Sequence, residues 1–174
     1  MIIAIDPGLK GGIAWEKNGK VEAIKMPYTP VGIRENIAQS RIVSEPIGNG
    51  ECYNYYIPDT DIVCYLEEIK GVLPNQSSKA TWTFGVHYGI LQGILITLGI
   101  PIVYVPPKAW QKAIGATRPS TPKGASQATK ARIKAEGKHR IKQIVEARYP
   151  SLKITLATAD ALGILMYAEK EERK

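Results

Sequence analysis

Three acidic residues stand where a folded chain would bury or half-bury them. Asp6 follows the apolar run 2–5, Glu67 follows the apolar run 62–66, and Asp160 lies in a C-terminal segment of helical pattern. Acidic side chains are almost never buried without a partner. If the three meet, a hard divalent cation such as Mg²⁺ or Mn²⁺ is the simplest partner, because it prefers oxygen ligands and leaves positions open for phosphate and water. Two such ions about 3.5 to 4 Å apart would suit phosphodiester hydrolysis.

The same acids have a purely structural interpretation. They could be an Asp turn, a solvated strand-end acid and a helix-capping Asp, with no chemistry in common. The sequence does not show that they meet in space, so the elements that position them decide between the two interpretations.

The N-terminal segment predicts an antiparallel meander of three strands. Residues 2–5 are apolar at every position, which is typical of a strand covered on both faces. Asn18-Gly19 is a strong hairpin signal between the runs 13–15 and 21–26. Asp6 is therefore expected at the end of a central strand.

The rest of the chain predicts further strands and several helices. A short helix is expected at 33–39, strands at 62–66 and 102–105, and a long helix at 76–98 that Gly99 ends. A short helix should begin at Lys108, and helices should cover 131–149 and 155–171. Residues 28–60 are hard to place, since three prolines interrupt them and only a weak strand signal appears at 53–56. The order indicates an α/β fold with a mixed sheet flanked by helices.

The positive charge is concentrated in one region. The net charge is +7, but residues 108–148 hold eleven Lys and Arg against two Glu, so this segment carries +9 and the remainder −2. Such regional charge is expected where a protein follows a phosphate backbone, although a solvated helix face would also produce it. Residues 115–130, rich in Ser, Thr, Pro, Gly and Lys, predict a mobile basic loop.

Other features narrow the class of protein. Cys52 and Cys64 are the only cysteines and lack CxxC spacing, which argues against a disulfide framework or structural zinc and favours a reducing, cytoplasmic setting. No signal-peptide core and no apolar run of about 18 residues is present, so neither export nor membrane insertion is predicted. His87 and His139 lie far apart without metal-ligand spacing, and neither is a good candidate for a general base.

Five short motifs together resemble the RuvC family of Holliday junction resolvases, especially its compact phage-type members, in the ribonuclease H-like superfamily. The motifs appear in family order across nearly the whole chain: Ile3-Ala4-Ile5-Asp6-Pro7-Gly8 with Gly11-Gly12, Tyr65-Leu66-Glu67-Glu68, the run 83–89, the run 105–112, and Ala159-Asp160-Ala161-Leu162. Each motif alone is weak, but the ordered set is specific. The resemblance implies one RuvC-like nuclease domain over residues 1–174, with a ribonuclease H-like mixed sheet.

The resemblance also implies a set of functional residues. Asp6, Glu67 and Asp160 would be catalytic carboxylates that bind Mg²⁺ or Mn²⁺, two ions per site, with Glu68 as the fallback for Glu67. The activity would be crossover junction endodeoxyribonuclease: a homodimer nicks four-way or other branched DNA symmetrically and leaves 5′-phosphate ends. A phage or prophage source is suggested by the same likeness. The cations expected to bind nucleic acid are Lys108, Lys112, Arg118, Lys123, Lys130, Arg132, Lys134, Lys138, Arg140 and Lys142.

One position departs from the family pattern. The family carries a fourth acidic or imidazole ligand three or four residues before the helical Asp, where this chain has Leu156 and Ala157. Ala157 could be an inactivating substitution, a natural three-carboxylate variant, or the mark of a protein that binds junctions without cutting well. The alternative function is therefore a junction-binding protein with weak or no cleavage. A sugar-kinase-like ATPase, whose sheet begins similarly, is improbable at this length.

The long predicted helix carries a stripe of small residues. Gly85, Gly89 and Gly93 recur at i, i+4 and i+8 and would permit close approach of another backbone, either a second subunit or the chain's own sheet. The aromatic residues Trp82, Phe84 and Tyr88 of this helix are expected in the core or at an interface.

Overall fold

The computed structural model of the protein describes residues 1–38, 42–47, 51–56, 61–71, 77–117, 119–122 and 124–174. The strands are β1 (Ile2–Asp6), β2 (Gly12–Lys17), β3 (Lys20–Lys25), β4 (Ile42–Ile47), β5 (Glu51–Tyr56), β6 (Val63–Glu67) and β7 (Ile102–Val105). The helices are α1 (Pro30–Ala38), α2 (Ser78–Thr97), α3 (Pro107–Ala113), α4 (Gln127–Arg148) and α5 (Leu156–Glu171). None of the helices in these described ranges is long and apolar enough to cross a membrane.

The main sheet is mixed and has the strand order β3-β2-β1-β6-β7. The predicted meander is confirmed, because β1, β2 and β3 pair antiparallel around a turn in which Asn18 and Gly19 both have positive φ. β6 pairs parallel to both β1 and β7. The strand β1 is therefore central, as its unbroken apolar run predicts.

Helices cover the sheet on both faces. Ala4 and Tyr65 pack with α3, α4 and α5 in one buried cluster, whereas Ile3 and Ile5 pack with α1 and α2 in a second. Neighbouring strand residues thus belong to different clusters, as strand alternation requires. This division decides which helices can reach the ends of β1 and β6.

Two predictions about the elements need correction. The expected loop at 115–130 ends earlier, because α4 begins at Gln127, where Ser126 Oγ accepts a hydrogen bond from the backbone N–H of Thr129 and caps the helix. The region 28–60 contains β4 and β5, which pair in a separate two-stranded sheet. Pro46 did not prevent the strand because both strands of such a sheet are edges, where a missing N–H is tolerated.

Candidate active site

Asp6 and Glu67 end two neighbouring parallel strands. Ile5 of β1 is aligned with Leu66 of β6, so the next residues, Asp6 and Glu67, close the two strands side by side. Ala4 and Tyr65, two residues earlier on the strands, lie on the face that α5 covers. Because side chains alternate along a strand, Asp6 and Glu67 belong to that same face.

Glu68 takes a different direction from Glu67. Its backbone N–H donates to Val105 O, and its carboxylate lies 3.2 Å from Lys70 Nζ. The Glu67 Oε1 atom instead accepts a hydrogen bond of 2.9 Å from Trp110 Nε1. This difference favours Glu67 over Glu68 as the acid that shares a face with Asp6.

Asp160 comes to the sheet on α5. The N-terminus of this helix is closed by a capping box. The Thr155 hydroxyl accepts a hydrogen bond from the backbone N–H of Thr158, and the Thr158 hydroxyl accepts one from the backbone N–H of Thr155. The helix passes close to β2 at Gly12, where an added Cβ would lie 2.6 Å from the carbonyl oxygen of Ala157. Only glycine permits this approach, which brings the largely buried carboxylate of Asp160 to the carboxyl end of β1.

Asp6 and Asp160 line one cavity of about 690 Å³, together with Lys10, Lys79 and Lys138. Lys138 Nζ lies 3.8 Å from Asp160 Oδ2. The lining therefore combines two acidic residues with three lysines, a combination that can attract a phosphate group while retaining oxygen ligands for a cation.

The three predicted acids are only partly assembled. Asp6 and Asp160 share the cavity, whereas Glu67 is not among the residues that line it. Within the described ranges, no three His, Cys, Asp or Glu side chains form a group that could hold a metal ion. The oxygen donors are nevertheless those that Mg²⁺ and Mn²⁺ prefer, and they lie at the ends of adjacent elements.

The two positions at which the family pattern has a fourth ligand lie in the first turn of α5. Ala157 lies on α5 less than one turn before Asp160, and its carbonyl oxygen faces Gly12. Leu156, the other position, is 42% exposed. Neither side chain has an atom that binds a metal.

The predicted nucleic-acid-binding cations lie mainly along α3 and α4. The exposed members are Lys108, Lys112, Lys130, Arg132, Lys134 and Arg140. Arg132 and Lys142 are paired within α4, with Glu136 at 3.4 Å and Glu146 at 3.3 Å respectively. Arg118 and Lys123 lie outside the described residues, so their role and the mobility of the basic loop stay predictions.

Sequence reasoning missed two residues of the site. His87 is buried, lines the cavity with Asp6 and Asp160, and has no hydrogen-bond partner among the described residues. Its spacing of four and eight residues from the buried Leu91 and Leu95 was the available signal. The second is Trp110, a fully buried residue that orients the Glu67 carboxylate.

The outer face of α2 is open to solvent. Nothing in the described structure lies within 4 Å of a Cβ built at Gly85, Gly89 or Gly93, so this stripe does not pack on the chain's own sheet. Trp82 is 74% exposed and therefore lies outside the core of its own chain. Phe84 is partly buried and stacks with Tyr88, the ring centroids 6.2 Å apart.

Comparison with known proteins identifies a shared fold. No protein-family model matches the chain, and no curated protein matches it. A structure of RuvC from Thermus thermophilus is 15% identical, with a TM-score of 0.47, and the match covers 98% of this chain and 96% of RuvC. T. thermophilus RuvC in complex with a Holliday junction substrate is 13% identical, with a TM-score of 0.51 and coverage of 97% and 95%.

The second match decides the fold. The chain has a RuvC-like fold. The predicted ribonuclease H-like mixed sheet, flanked by helices, is thus confirmed. The single-domain organisation, the cytoplasmic location and the phage or prophage source stay predictions from the sequence.

Proposed function

We propose that the protein is a metal-dependent endonuclease that resolves four-way or other branched DNA by paired symmetric nicks. The observation that carries the proposal is the convergence of Asp6 and Asp160 in one lysine-bearing cavity at the carboxyl end of β1. Two elements far apart in sequence, β1 and α5, contribute these acids. The RuvC structure with the same fold is described as bound to a Holliday junction substrate, which supports the choice of substrate.

In this proposal, different residues bind the metal, bind the phosphodiester and orient the carboxylate of Glu67. Asp6, Asp160 and Glu67 would hold Mg²⁺ or Mn²⁺, which when bound activates water and stabilises the leaving 3′-oxygen. Lys10, Lys79 and Lys138 bind and orient the phosphodiester. Trp110 holds the Glu67 carboxylate in one orientation through its 2.9 Å hydrogen bond. The products would be 5′-phosphate and 3′-hydroxyl ends.

Paired nicking requires two active sites, and we propose that α2 supplies the contact for a homodimer. Its outer face combines three glycines without neighbours with the exposed apolar side chains of Val86 and Ile96. Small residues allow helices to cross closely, and burial of this apolar face would favour association.

Gly89→Glu should place a charge in the contact and shift the protein towards monomer in sedimentation velocity, whereas Glu136→Gln on α4 should not.

The direct test is cleavage of a labelled four-way junction with and without Mg²⁺, with linear duplex of the same sequence as the control. We expect preferential binding of the junction in both conditions and symmetric nicks only with the metal. Equal affinity for junction and duplex would contradict the proposed substrate.

A second function is favoured by two observations. Ala157 provides no fourth ligand, and Glu67 lies outside the cavity that holds the other two acids. A junction-binding protein with weak or no cleavage fits these facts. It would bind the four-way junction tightly but leave it intact in both Mg²⁺ and Mn²⁺.

A further inference from the structure

His87 is an imidazole buried without a partner. Only 7% of the residue is exposed, and neither Nδ1 nor Nε2 forms a hydrogen bond within the described structure. An orphaned polar group in the interior lowers stability, because its hydrogen bonds to water are lost on folding and not replaced. Such groups are few in native proteins and commonly mark a bound water, an ion or a functional site.

The position of His87 on α2 shows that packing alone does not require histidine. Leu91 and Leu95 follow it at helical spacing on the same side of the helix, and both are fully buried apolar residues of the core. A leucine at position 87 would continue that stripe without an unsatisfied nitrogen. Filling the core therefore does not explain the choice of histidine at this position.

The missing partner is expected in the cavity that His87 lines. This cavity of about 690 Å³ is far larger than a single water and also contains Asp6, Asp160 and three lysines. Burial lowers the pKa of His87, which favours the neutral ring at neutral pH. A neutral imidazole has one N–H donor and one acceptor nitrogen, so it can bind an anionic oxygen without a further positive charge beside the lysines.

We propose that His87 is a further catalytic residue: its ring, whose nitrogens are closed to solvent here, turns towards the cavity when DNA binds and donates its N–H to a non-bridging oxygen of the phosphodiester. The inference rests on the proposed function, since it takes a DNA phosphodiester as the ligand. The hydrogen bond to the charged phosphate compensates for the cost of burying the ring.

The test compares three variants of the full chain with the wild type in junction cleavage. His87→Leu removes both donor and acceptor, and His87→Gln restores an N–H donor. Thr81→Val is the matched control, because Thr81 Oγ1 is also buried without a partner on α2 but does not line the cavity. We expect His87→Leu to lower kcat/KM by about 10- to 100-fold, the range for a hydrogen bond to a charged group. His87→Gln should recover part of the activity, and Thr81→Val should keep all of it.

Thermal unfolding separates this role from a structural one. Removal of an orphaned polar group should raise the Tm of His87→Leu by about 2–4 °C, since roughly 1 kcal/mol shifts the Tm of a chain of this size by that amount. A structural role predicts instead that Tm and activity fall together. Full activity in His87→Leu, or a lower Tm in a variant that is inactive only because it unfolds, would overturn the proposal.

An NMR readout keeps the inference distinct from the proposed function. The ring ¹⁵N resonances of His87 are followed as junction DNA is added with Ca²⁺ in place of Mg²⁺. A change in the His87 ring shifts, assigned by their absence from the spectrum of His87→Gln, supports the contact even if the wild type does not cleave. Bound DNA with unchanged His87 shifts would reject the contact while leaving the nuclease proposal standing, and a wild type that neither binds nor cleaves would reject both.

Discussion

At the scale of single residues, the contacts of a carboxylate at a strand end depend on the face of the strand on which its side chain lies. Glu67 and Glu68 are adjacent and chemically alike, yet Glu67 accepts a hydrogen bond from Trp110 while Glu68 pairs with Lys70. Alternation along β6 places Glu67 on the side of Tyr65 and therefore of α5. We therefore expect the glutamate on this face, Glu67, to take part in the chemistry, and Glu68 to have no part in it.

The two glutamates provide a paired prediction. Glu67→Gln should lower the rate of junction cleavage by about 100- to 1,000-fold, the range for loss of one charge-stabilising group in an active site. Glu68→Gln should change it less than threefold, since surface changes away from such sites have small effects. Single-turnover rates at saturating Mg²⁺ would measure both, and the opposite ranking would assign the site to Glu68.

Trp110 provides a test of how Glu67 is oriented. Trp110→Phe removes the Nε1–H that donates to Glu67 Oε1 and leaves a space beside it. We expect slower cleavage and a free energy of unfolding lower by about 1 kcal/mol, because a half-buried carboxylate oxygen loses its donor. Urea unfolding and cleavage rates would be compared with those of Trp15→Phe. Trp15 packs against the second core cluster, the one that contains Ile3 and Ile5. Unchanged cleavage would show that this hydrogen bond does not position the acid.

At the scale of elements, the site depends on how closely α5 approaches the sheet. Gly12 lets the first turn of α5 lie against β2, and the ring of Trp110 lies against Gly163 further along the same helix, where an added Cβ would be 2.7 Å from Cζ3. Two glycines far apart in the sequence thus fix the distance between one helix, one strand and one aromatic ring. Asp160 and Trp110 both reach the site through this packing.

The first turn of α5 can be used to restore a ligand. Ala157→Asp places a carboxylate three residues before Asp160, on nearly the same side of the helix. We expect tighter Mn²⁺ binding by titration calorimetry and faster cleavage, because an added oxygen donor chiefly strengthens the more weakly held ion. Ala157→Asn is the control of equal shape without charge. Equal affinity and rate in wild type and Ala157→Asp would reject a ligand position there.

At the scale of the whole molecule, the positively charged side chains of α3 and α4 lie in two kinds of position, on the exposed surface and in the cavity. Most of the cations on α3 and α4 are exposed, whereas Lys138 lines the cavity and its Nζ lies 3.8 Å from Asp160 Oδ2. Phosphate contacts made by exposed cations depend strongly on salt, because each one releases condensed counterions. Substitution of a surface cation should therefore affect binding, while substitution of Lys138 should also affect cleavage.

Lys112 is the clearest test of the surface. It is exposed on α3 and has no ion-pair partner within the described ranges. Lys112→Ala should weaken binding to all sequences alike and reduce the slope of log K against log[salt] by about 1. Fluorescence anisotropy over a salt series would measure this, with Lys20→Ala, in the hairpin between β2 and β3, as the control. An unchanged slope would remove Lys112 from the DNA contacts.

The sequence alone determined the features that depend on local order. The unbroken apolar run of β1 and the Asn18-Gly19 turn are properties of a few consecutive residues, and the structure agrees with both. The start of α4 and the strand β4 were predicted less well, because a capping Ser and an edge-strand Pro carry weak signals until their neighbours are known.

Only the tertiary structure decided which distant residues share a cavity. Asp6 and Asp160 line the same cavity, whereas Glu67 is hydrogen-bonded to Trp110 outside it. The cavity is also lined by the buried His87, which the sequence analysis did not select as a functional residue. The physical reason is that such distances depend on close packing between elements, such as that of α5 on Gly12, and no local pattern encodes the separation of residues 154 positions apart.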